Sequence, residues 1–240
     1  SVFHFYHQIL ISLLKTSQYT HIIWDWNGTL LNDAWLFVDV MNSILKNRNM
    51  DTITIDRYRE IFGFPVKDYY IKLGFDLEKE PFQKSGLEFI FAYEKRRYEA
   101  SLYPQVIPLL TKLLTKKISH SILSAQYQPL LDDLTEFYNI RKYFIRINGL
   151  DDHSAHSKVE KGIEWMRELE LLGDQEVLLI GDTGHDYEVA NAIGADCLLL
   201  SHGHYSHSRL IKTGAYVINT LDDIFSFFSI DLNPIRVSHG

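Results

Sequence analysis

The amino-acid sequence predicts an α/β protein, a doubly wound parallel sheet with an inserted helical subdomain. Strand-length apolar runs bounded by turn residues recur at 21–26, 118–124, 143–147, 176–180 and 196–200. Segments with helical periodicity follow the later runs, at 127–138, 158–172 and 185–194. This alternation of strand and helix favours a parallel sheet covered by helices on both faces.

The interval between the first two apolar runs predicts the insertion. About ninety residues lie there, whereas a parallel crossover needs only about a dozen. Helical patterning recurs in it at 33–48, 55–62, 67–74 and 81–99, and glycines and prolines separate these segments. We therefore expect a helical cap at 36–100, seated above the carboxyl ends of the strands of a core formed by 20–35 and 101–240.

The amino-terminal segment 1–19 has apolar residues at helical spacing, which predicts a short amphipathic helix packed on the core. A signal peptide is disfavoured because the segment has neither a basic first region nor a small-residue cleavage site. No stretch of the sequence reaches the roughly 18 consecutive apolar residues of a membrane span. We expect no membrane association.

Composition narrows the class of protein. Hydrophobic residues make up 46% and charged residues 23% of the chain, as in ordinary globular proteins. The 24 Lys and Arg residues against 31 Asp and Glu give a net charge of −7, so a nucleic acid is not an expected partner. The single cysteine, Cys197, forms no internal disulfide and reads as a buried strand residue. A cytoplasmic protein is therefore expected.

Residues that could bind a ligand or take part in a reaction follow several of the predicted strands. Ligands bind at this edge in doubly wound sheets. The residues are Asp25, Asn27, Gly28, Thr29, Ser124, Lys158, Asp182 and Asp186. Three carboxylates in one cleft repel each other unless a cation neutralises them, and oxygen ligands suit Mg²⁺. The sequence thus predicts a Mg²⁺ site with open positions for a phosphoryl group.

The other residues of this set suit phosphoryl transfer. Lys158 would supply positive charge and Ser124 a hydroxyl donor to the non-bridging oxygens of a phosphate. Gly28 and Thr29 would direct backbone N–H groups at the same phosphate. Asp25, at the tip of its strand, is free to attack phosphorus and form an aspartyl-phosphate.

The motifs Asp25-x-Asn27-Gly28-Thr29-Leu30, Ser124, Lys158 and Gly181-Asp182-x-x-x-Asp186 occur in this order. In order and spacing the chain resembles the haloacid dehalogenase superfamily, specifically its phosphoglycolate-phosphatase-like branch with a helical cap after the first strand. The resemblance covers nearly the whole chain from about residue 20. It implies a Rossmann-like core and a Mg²⁺-dependent phosphatase acting on a small phosphorylated metabolite.

The resemblance also implies a role for each residue of the motifs. The metal ligands would be Asp25, Asp182, Asp186 and, through its backbone carbonyl, Asn27. Asp25 would be the nucleophile, and Ser124 and Lys158 would hold the transferring phosphoryl group. Lys161 competes with Lys158 for this role, but Lys158 begins its helix, whereas Lys161 lies one turn further in.

Asn27 departs from the family pattern. Most phosphatases of the family carry an aspartate there, which protonates the leaving alcohol and later activates water. An amide orients groups by hydrogen bonds but exchanges no proton near neutral pH. The loss of a general acid–base group typically costs about 10²- to 10⁴-fold in rate.

Three interpretations of Asn27 stay open. The chain is a phosphatase that uses another proton carrier, for which His185 is a candidate. Alternatively, it cleaves C–P bonds, because Asp-Trp-x-Gly-Thr also resembles phosphonoacetaldehyde hydrolase, and Lys67 would then be the cap lysine that forms a Schiff base. In the third interpretation it is a pseudo-enzyme that binds phosphorylated ligands without turnover.

Two further assignments have simple alternatives. Ser124 has the residue type that caps a following helix. The histidines of the segment after the last apolar run, His202, His204 and His207, predict a polar loop rather than a transition-metal site.

Overall fold

The computed structural model describes residues 19–151, 157–173 and 176–228. The helix predicted for 1–19 lies, apart from Tyr19, outside the described residues. Within them, no helix combines the length and the apolar character needed to cross a bilayer.

Within the described residues, eight strands form two sheets. They are β1 (His21–Trp24), β2 (Leu31–Asn32), β3 (Ser101–Leu102), β4 (Ser119–Tyr127), β5 (Arg146–Leu150), β6 (Val177–Gly181), β7 (Asp196–Leu200) and β8 (Tyr216–Ile218). Six of them build a parallel sheet in the order β5-β4-β1-β6-β7-β8, while β2 and β3 form a short antiparallel pair. The predicted doubly wound α/β class is confirmed.

Four helices follow β2 without an intervening strand: α1 (Ala34–Lys46), α2 (Ile55–Ile61), α3 (Val66–Leu73) and α4 (Phe82–Arg96). The other helices flank the large sheet: α5 (Val106–Thr115), α6 (Gln128–Phe137), α7 (Ser157–Glu170), α8 (Gly184–Ile193), α9 (His207–Leu210) and α10 (Leu221–Phe227). We call 34–96 the helical segment. Its status as a separate cap, with the predicted boundaries 36–100, stays a prediction.

One strand was predicted in the wrong place. Tyr143, the first residue of the apolar run 143–147, ends a short 3₁₀ helix. The strand β5 begins three residues later, at Arg146. The strand extends through Asn148 and Gly149, a pair that normally indicates a turn. A Cβ on Gly149 would lie 2.7 Å from the Gln126 carbonyl oxygen, so glycine permits β5 to approach β4 closely.

The central strand β1 carries a buried polar residue among apolar ones. Ile22, Ile23 and Trp24 are fully buried, and so is His21, whose Nδ1 and Nε2 lie 2.7 Å from the hydroxyls of Ser119 and Ser121. The Ser119 hydroxyl donates to the Thr20 carbonyl, so it accepts from His21 Nδ1–H. His21 Nε2 is then the acceptor, which requires a neutral ring.

Burial lowers the pKa of His21 to about 3, whereas the ordinary value is about 6.5. Between these values the unfolded chain binds a proton that the folded chain does not. The contribution of neutral His21 to the free energy of unfolding is therefore complete above about pH 6.5 and decreases as the pH falls towards 3.

We predict that His21 makes the free energy of unfolding fall by about 1.4 kcal/mol per pH unit below about pH 6. Urea unfolding of the wild type and of His21→Asn over this range measures the difference in slope. His207→Asn, at an exposed position, is the matched control and should keep the wild-type slope. Parallel slopes in all three proteins would contradict a neutral buried His21.

Candidate active site

Three carboxylates meet at the carboxyl ends of two adjacent central strands. Asp25 follows β1, Asp182 follows β6, and Asp186 lies in the first turn of α8. The Asp25 N–H donates to the Ile180 carbonyl at 2.8 Å, which ties the two strand ends together. One oxygen of each carboxylate lies within 4.8 Å of the others, and all three residues are buried.

Lys158, near the start of α7, joins two members of this cluster. Its Nζ donates to Asp25 Oδ1 and to Asp186 Oδ1, each at 2.6 Å, and its side chain is 3% exposed. Lys161 instead pairs with Asp151 at 3.1 Å, near the surface. The ammonium at the centre of the site is therefore that of Lys158.

Neighbouring hydrogen-bond donors hold the carboxylates of Asp186 and Asp182 in place. Asp186 Oδ2 accepts hydrogen bonds from Thr183 N–H at 3.0 Å and from its hydroxyl at 2.7 Å, within the capping box of α8. Asp182 Oδ1 accepts from the Thr29 hydroxyl at 3.1 Å, and Oδ2 from the His204 backbone N–H at 2.6 Å. The carboxylates are thus positioned by backbone as well as by side chains.

Burial and neighbouring charges compete in setting the pKa values of the cluster. It raises the pKa of Asp25 to about 6, although Lys158 opposes the shift, and raises the pKa of Asp182 well above the ordinary value. Burial acts in the same direction on Asp186, but the charge of Lys158 outweighs it and lowers the pKa of that carboxyl. Burial alone would lower the pKa of Lys158. The charges of Asp186 and Asp25 outweigh this effect and raise it.

The donor set fits a hard divalent cation. With all groups ionised, one ammonium leaves two of the three carboxylate charges uncompensated, and buried uncompensated charge is strongly unfavourable. Carboxylate oxygens within reach of one point are the ligands of Mg²⁺. The protein itself thus provides negative charge and oxygen ligands for such an ion.

Three glycines pack against these carboxylates. A Cβ on Gly28 or Gly203 would collide with the Asp182 carboxylate, and one on Gly181 with that of Asp186. Gly28 also has φ +74°, a conformation that favours glycine.

Ser124 is buried in the part of β4 where the register with β5 shifts. Its hydroxyl accepts a hydrogen bond from the Gln126 N–H at 3.1 Å. Tyr127 occupies the N-cap position of α6, so Ser124 does not cap that helix. Its predicted contact with a phosphoryl group stays a prediction.

The structure does not support the predicted phosphate contacts of Gly28 and Thr29. The Gly28 N–H donates to Asp33 Oδ1 at 3.0 Å and to the Leu31 carbonyl at 2.9 Å. The Thr29 N–H donates to the Trp26 carbonyl at 3.3 Å. Both groups are engaged within the turn after β1, because the chain folds back at Leu31 and brings Asp33 beside it.

Sequence reasoning missed four residues of a buried network beside Asn27. They are Asp33, Tyr58, Tyr93 and His204, which are at most 4% exposed. His204 was predicted in a polar loop, yet its ring packs against that of Phe37 with 4.8 Å between centroids. A sequence signal for Asp33 was lacking, because the strand before it, β2, is only two residues long.

Of the two residues named for alternative chemistry, His185 precedes Asp186 in α8 and Lys67 lies on α3. His185 Nδ1 is 3.1 Å from Glu188 Oε2, and its ring packs on Phe64. Lys67 is exposed on α3, whose Tyr69 and Tyr70 face the interior. This placement gives no support to Lys67 as a Schiff-base lysine.

Comparison with known families agrees with this geometry. The model of the family of haloacid dehalogenase-like hydrolases matches residues 22–200, about three quarters of the chain. The chain belongs to this family. The predicted family relationship is confirmed, and with it the predicted fold.

Proteins with different names are similar to this chain. A tyrosine-protein kinase, PtkA, of Mycobacterium tuberculosis is 25% identical over 85% of this chain and 70% of its own length. A phosphoglycolate phosphatase of Vibrio parahaemolyticus is 22% identical over 87% of this chain and 96% of its own length. A haloacid dehalogenase-like hydrolase of Streptococcus pneumoniae shares the fold, with a TM-score of 0.74 and 20% identity over 89% of this chain and 99% of that one.

We predict that Gly203→Ala lowers the free energy of unfolding of this haloacid dehalogenase-like protein by about 1–3 kcal/mol. The added methyl group would overlap the Asp182 carboxylate and lie 2.6 Å from the Gly28 carbonyl oxygen. Urea unfolding measures the change. Gly86→Ala is the control: its Cβ would meet Phe82 at 3.6 Å, an ordinary contact, and should stabilise α4 by about 0.5–1 kcal/mol. Equal effects at both positions would contradict tight packing at Gly203.

Proposed function

We propose that the protein is a Mg²⁺-dependent hydrolase that removes phosphate from a small soluble phosphomonoester through an aspartyl-phosphate at Asp25. The observation that carries the proposal is the hydrogen bond between Asp25 and Lys158 inside a buried carboxylate cluster. A surface ion pair would not need this enclosure, whereas a nucleophile benefits from it.

Asp25 acts as the nucleophile. One of its carboxylate oxygens attacks phosphorus, the bond from phosphorus to the alcohol oxygen breaks, and the alcohol leaves with a proton from another donor. Water then attacks the phosphorus of the aspartyl-phosphate, which releases inorganic phosphate and restores the carboxylate. The Asn27 amide orients groups in both steps and carries no proton between them.

Lys158 and Ser124 stabilise the phosphoryl group during transfer. The ammonium of Lys158 lies 2.6 Å from Asp25 Oδ1, so it is beside the charge that develops on the non-bridging oxygens. The Ser124 hydroxyl, on the neighbouring strand β4, supplies a hydrogen-bond donor there. Together they replace water as the partners of the phosphoryl oxygens.

The carboxylates of Asp25, Asp182 and Asp186 and the backbone carbonyl of Asn27 would hold the Mg²⁺ ion. When bound, the ion neutralises the cluster and stabilises negative charge on the phosphoryl oxygens.

Names of relatives support a small phosphorylated substrate. Phosphoglycolate phosphatases of several bacteria and a 5'-nucleotidase of Pseudomonas aeruginosa are similar to the chain. From the helical segment, the Tyr93 hydroxyl reaches Asn27 in the turn after β1 at 3.2 Å, and the Tyr58 hydroxyl lies 2.7 Å from His204 Nδ1.

A second candidate is transfer of the phosphoryl group from Asp25 to a tyrosine hydroxyl. Asn27 favours it because position 27 provides no base to activate water, and the similar PtkA is named a tyrosine-protein kinase. In this reaction a nucleotide is the phosphoryl donor and the tyrosine oxygen replaces water in the second step.

We predict Mg²⁺-dependent phosphate release from an aryl phosphate and from members of a panel of glycolate, sugar and nucleotide phosphates. Asp25→Asn should reduce release to background, because the amide is not a nucleophile, and EDTA should do the same. Asp39→Asn is the control: it removes the same charge at an exposed position paired with Arg96 and should keep full activity. A colorimetric phosphate assay measures all of these.

Other outcomes of the same assay identify the alternatives. Phosphate release that persists in Asp25→Asn would refute the mechanism. Labelling of a Glu–Tyr copolymer from ATP, lost in Asp25→Asn, would establish the second candidate. Binding of Mg²⁺ and inorganic phosphate without any turnover would identify a pseudo-enzyme.

A further inference from the structure

The carboxylate of Asp33 is the centre of the buried network beside the site. Its Oδ1 accepts from the Gly28 N–H at 3.0 Å and lies 3.3 Å from His204 Nε2. Its Oδ2 accepts from Asn27 Nδ2 at 2.7 Å and from the Tyr93 hydroxyl at 2.8 Å. Asp33 itself is fully buried.

All four neighbours of this carboxylate act as donors. Backbone N–H and side-chain amide NH₂ groups only donate, and the Tyr93 hydroxyl is free to do so. The Tyr58 hydroxyl lies 2.7 Å from His204 Nδ1, so the ring has a hydrogen-bond partner on each nitrogen. Each lone pair of Asp33 thus has a partner, and the carboxylate is held from four directions.

This arrangement restricts the side chain at position 27. Asn27 Nδ2 is a donor 2.7 Å from one carboxylate oxygen. An aspartate there would place two carboxylates in contact inside the protein, where like charges repel strongly. The amide at position 27, which departs from the usual pattern of the family, is therefore matched to Asp33.

We propose that Asp33 is a positioning residue that holds Asn27 and the Gly28 peptide in place beside Asp25, and that the pair 27/33 requires one carboxylate and one amide. Asp33 does not touch the reacting atoms and acts through its neighbours. The kinetic part of this proposal rests on the proposed phosphatase function.

The geometry predicts that the two residues can be exchanged. In Asn27→Asp/Asp33→Asn, the amide oxygen at position 33 would keep the donors Gly28 and His204. The amide nitrogen would donate to the new carboxylate at position 27. The Tyr93 hydroxyl, 3.2 Å from Asn27 Nδ2, would donate to that carboxylate as well.

The single variants are not equivalent. Asn27→Asp creates two facing carboxylates, and rotation of either side chain still leaves oxygen against oxygen. In Asp33→Asn two amides face each other, and rotation of the Asn27 amide by half a turn presents its oxygen to the new NH₂ group. We therefore expect Asn27→Asp to be the most impaired, Asp33→Asn intermediate and the double variant close to wild type.

The experiment is a double-mutant cycle with two readouts, urea unfolding and the kcat and KM for an aryl phosphate. Per folded molecule, kcat should fall by about a hundredfold in Asn27→Asp and about tenfold in Asp33→Asn, with KM changed little. The double variant should recover at least about tenfold over Asn27→Asp in kcat and most of the lost stability. Asp39→Asn is again the control for charge removal.

The results separate a positioning role from a merely structural one. A structural role would lower the folded fraction and leave kcat per folded molecule unchanged, which would overturn the proposal. Losses that simply add in the double variant, or an Asn27→Asp protein as stable and active as wild type, would also overturn it. If the wild type releases no phosphate, the proposed function fails, whereas the unfolding cycle still decides whether positions 27 and 33 are coupled.

Discussion

The desolvation of three carboxylates around one ammonium is the constraint on which the active end of this protein depends. Ion pairs in an interior rarely stabilise a fold, because the charges lose their water. The burial of apolar residues in the large sheet compensates for this loss, and β1 contributes the fully buried Ile22, Ile23 and Trp24. The rigid central strands fix Asp25 and Asp182, and the capping box of α8 fixes Asp186. An apolar sheet thus holds in place a set of charges that would otherwise separate.

The turn after β1 connects this charged cluster to the helical segment. Gly28 packs on Asp182 on one side and donates to Asp33 on the other. Tyr93 of α4 reaches the same carboxylate, and His204 of the loop after β7 contacts both acids. The groups proposed for chemistry and those of the helical segment therefore share hydrogen-bond partners, so a change in one alters the other.

The sequence was most informative where an apolar run is followed by polar residues. Period and length located four of the six strands of the large sheet, and the positions of Asp25 and Asp182 follow from them because parallel strands end at one edge. Asp33 was not predictable in this way, since its place depends on a turn that folds the chain back between Asn27 and Leu31. His204 looked solvated because its burial comes from distant aromatic rings.

The attachment of α2 has a consequence for the rate of turnover. The Arg59 guanidinium donates to the carbonyls of His202 and Gly203 at 2.7 and 2.8 Å, and Arg209 donates to the Arg59 carbonyl at 2.8 Å. On the opposite side, α4 is held through Tyr93. Asp25 and Lys158 are buried, so in the proposed reaction one of these attachments would have to break before substrate and product exchange. The frequency of that opening would then set an upper limit on kcat, and a fast chemical step would be hidden behind the departure of phosphate.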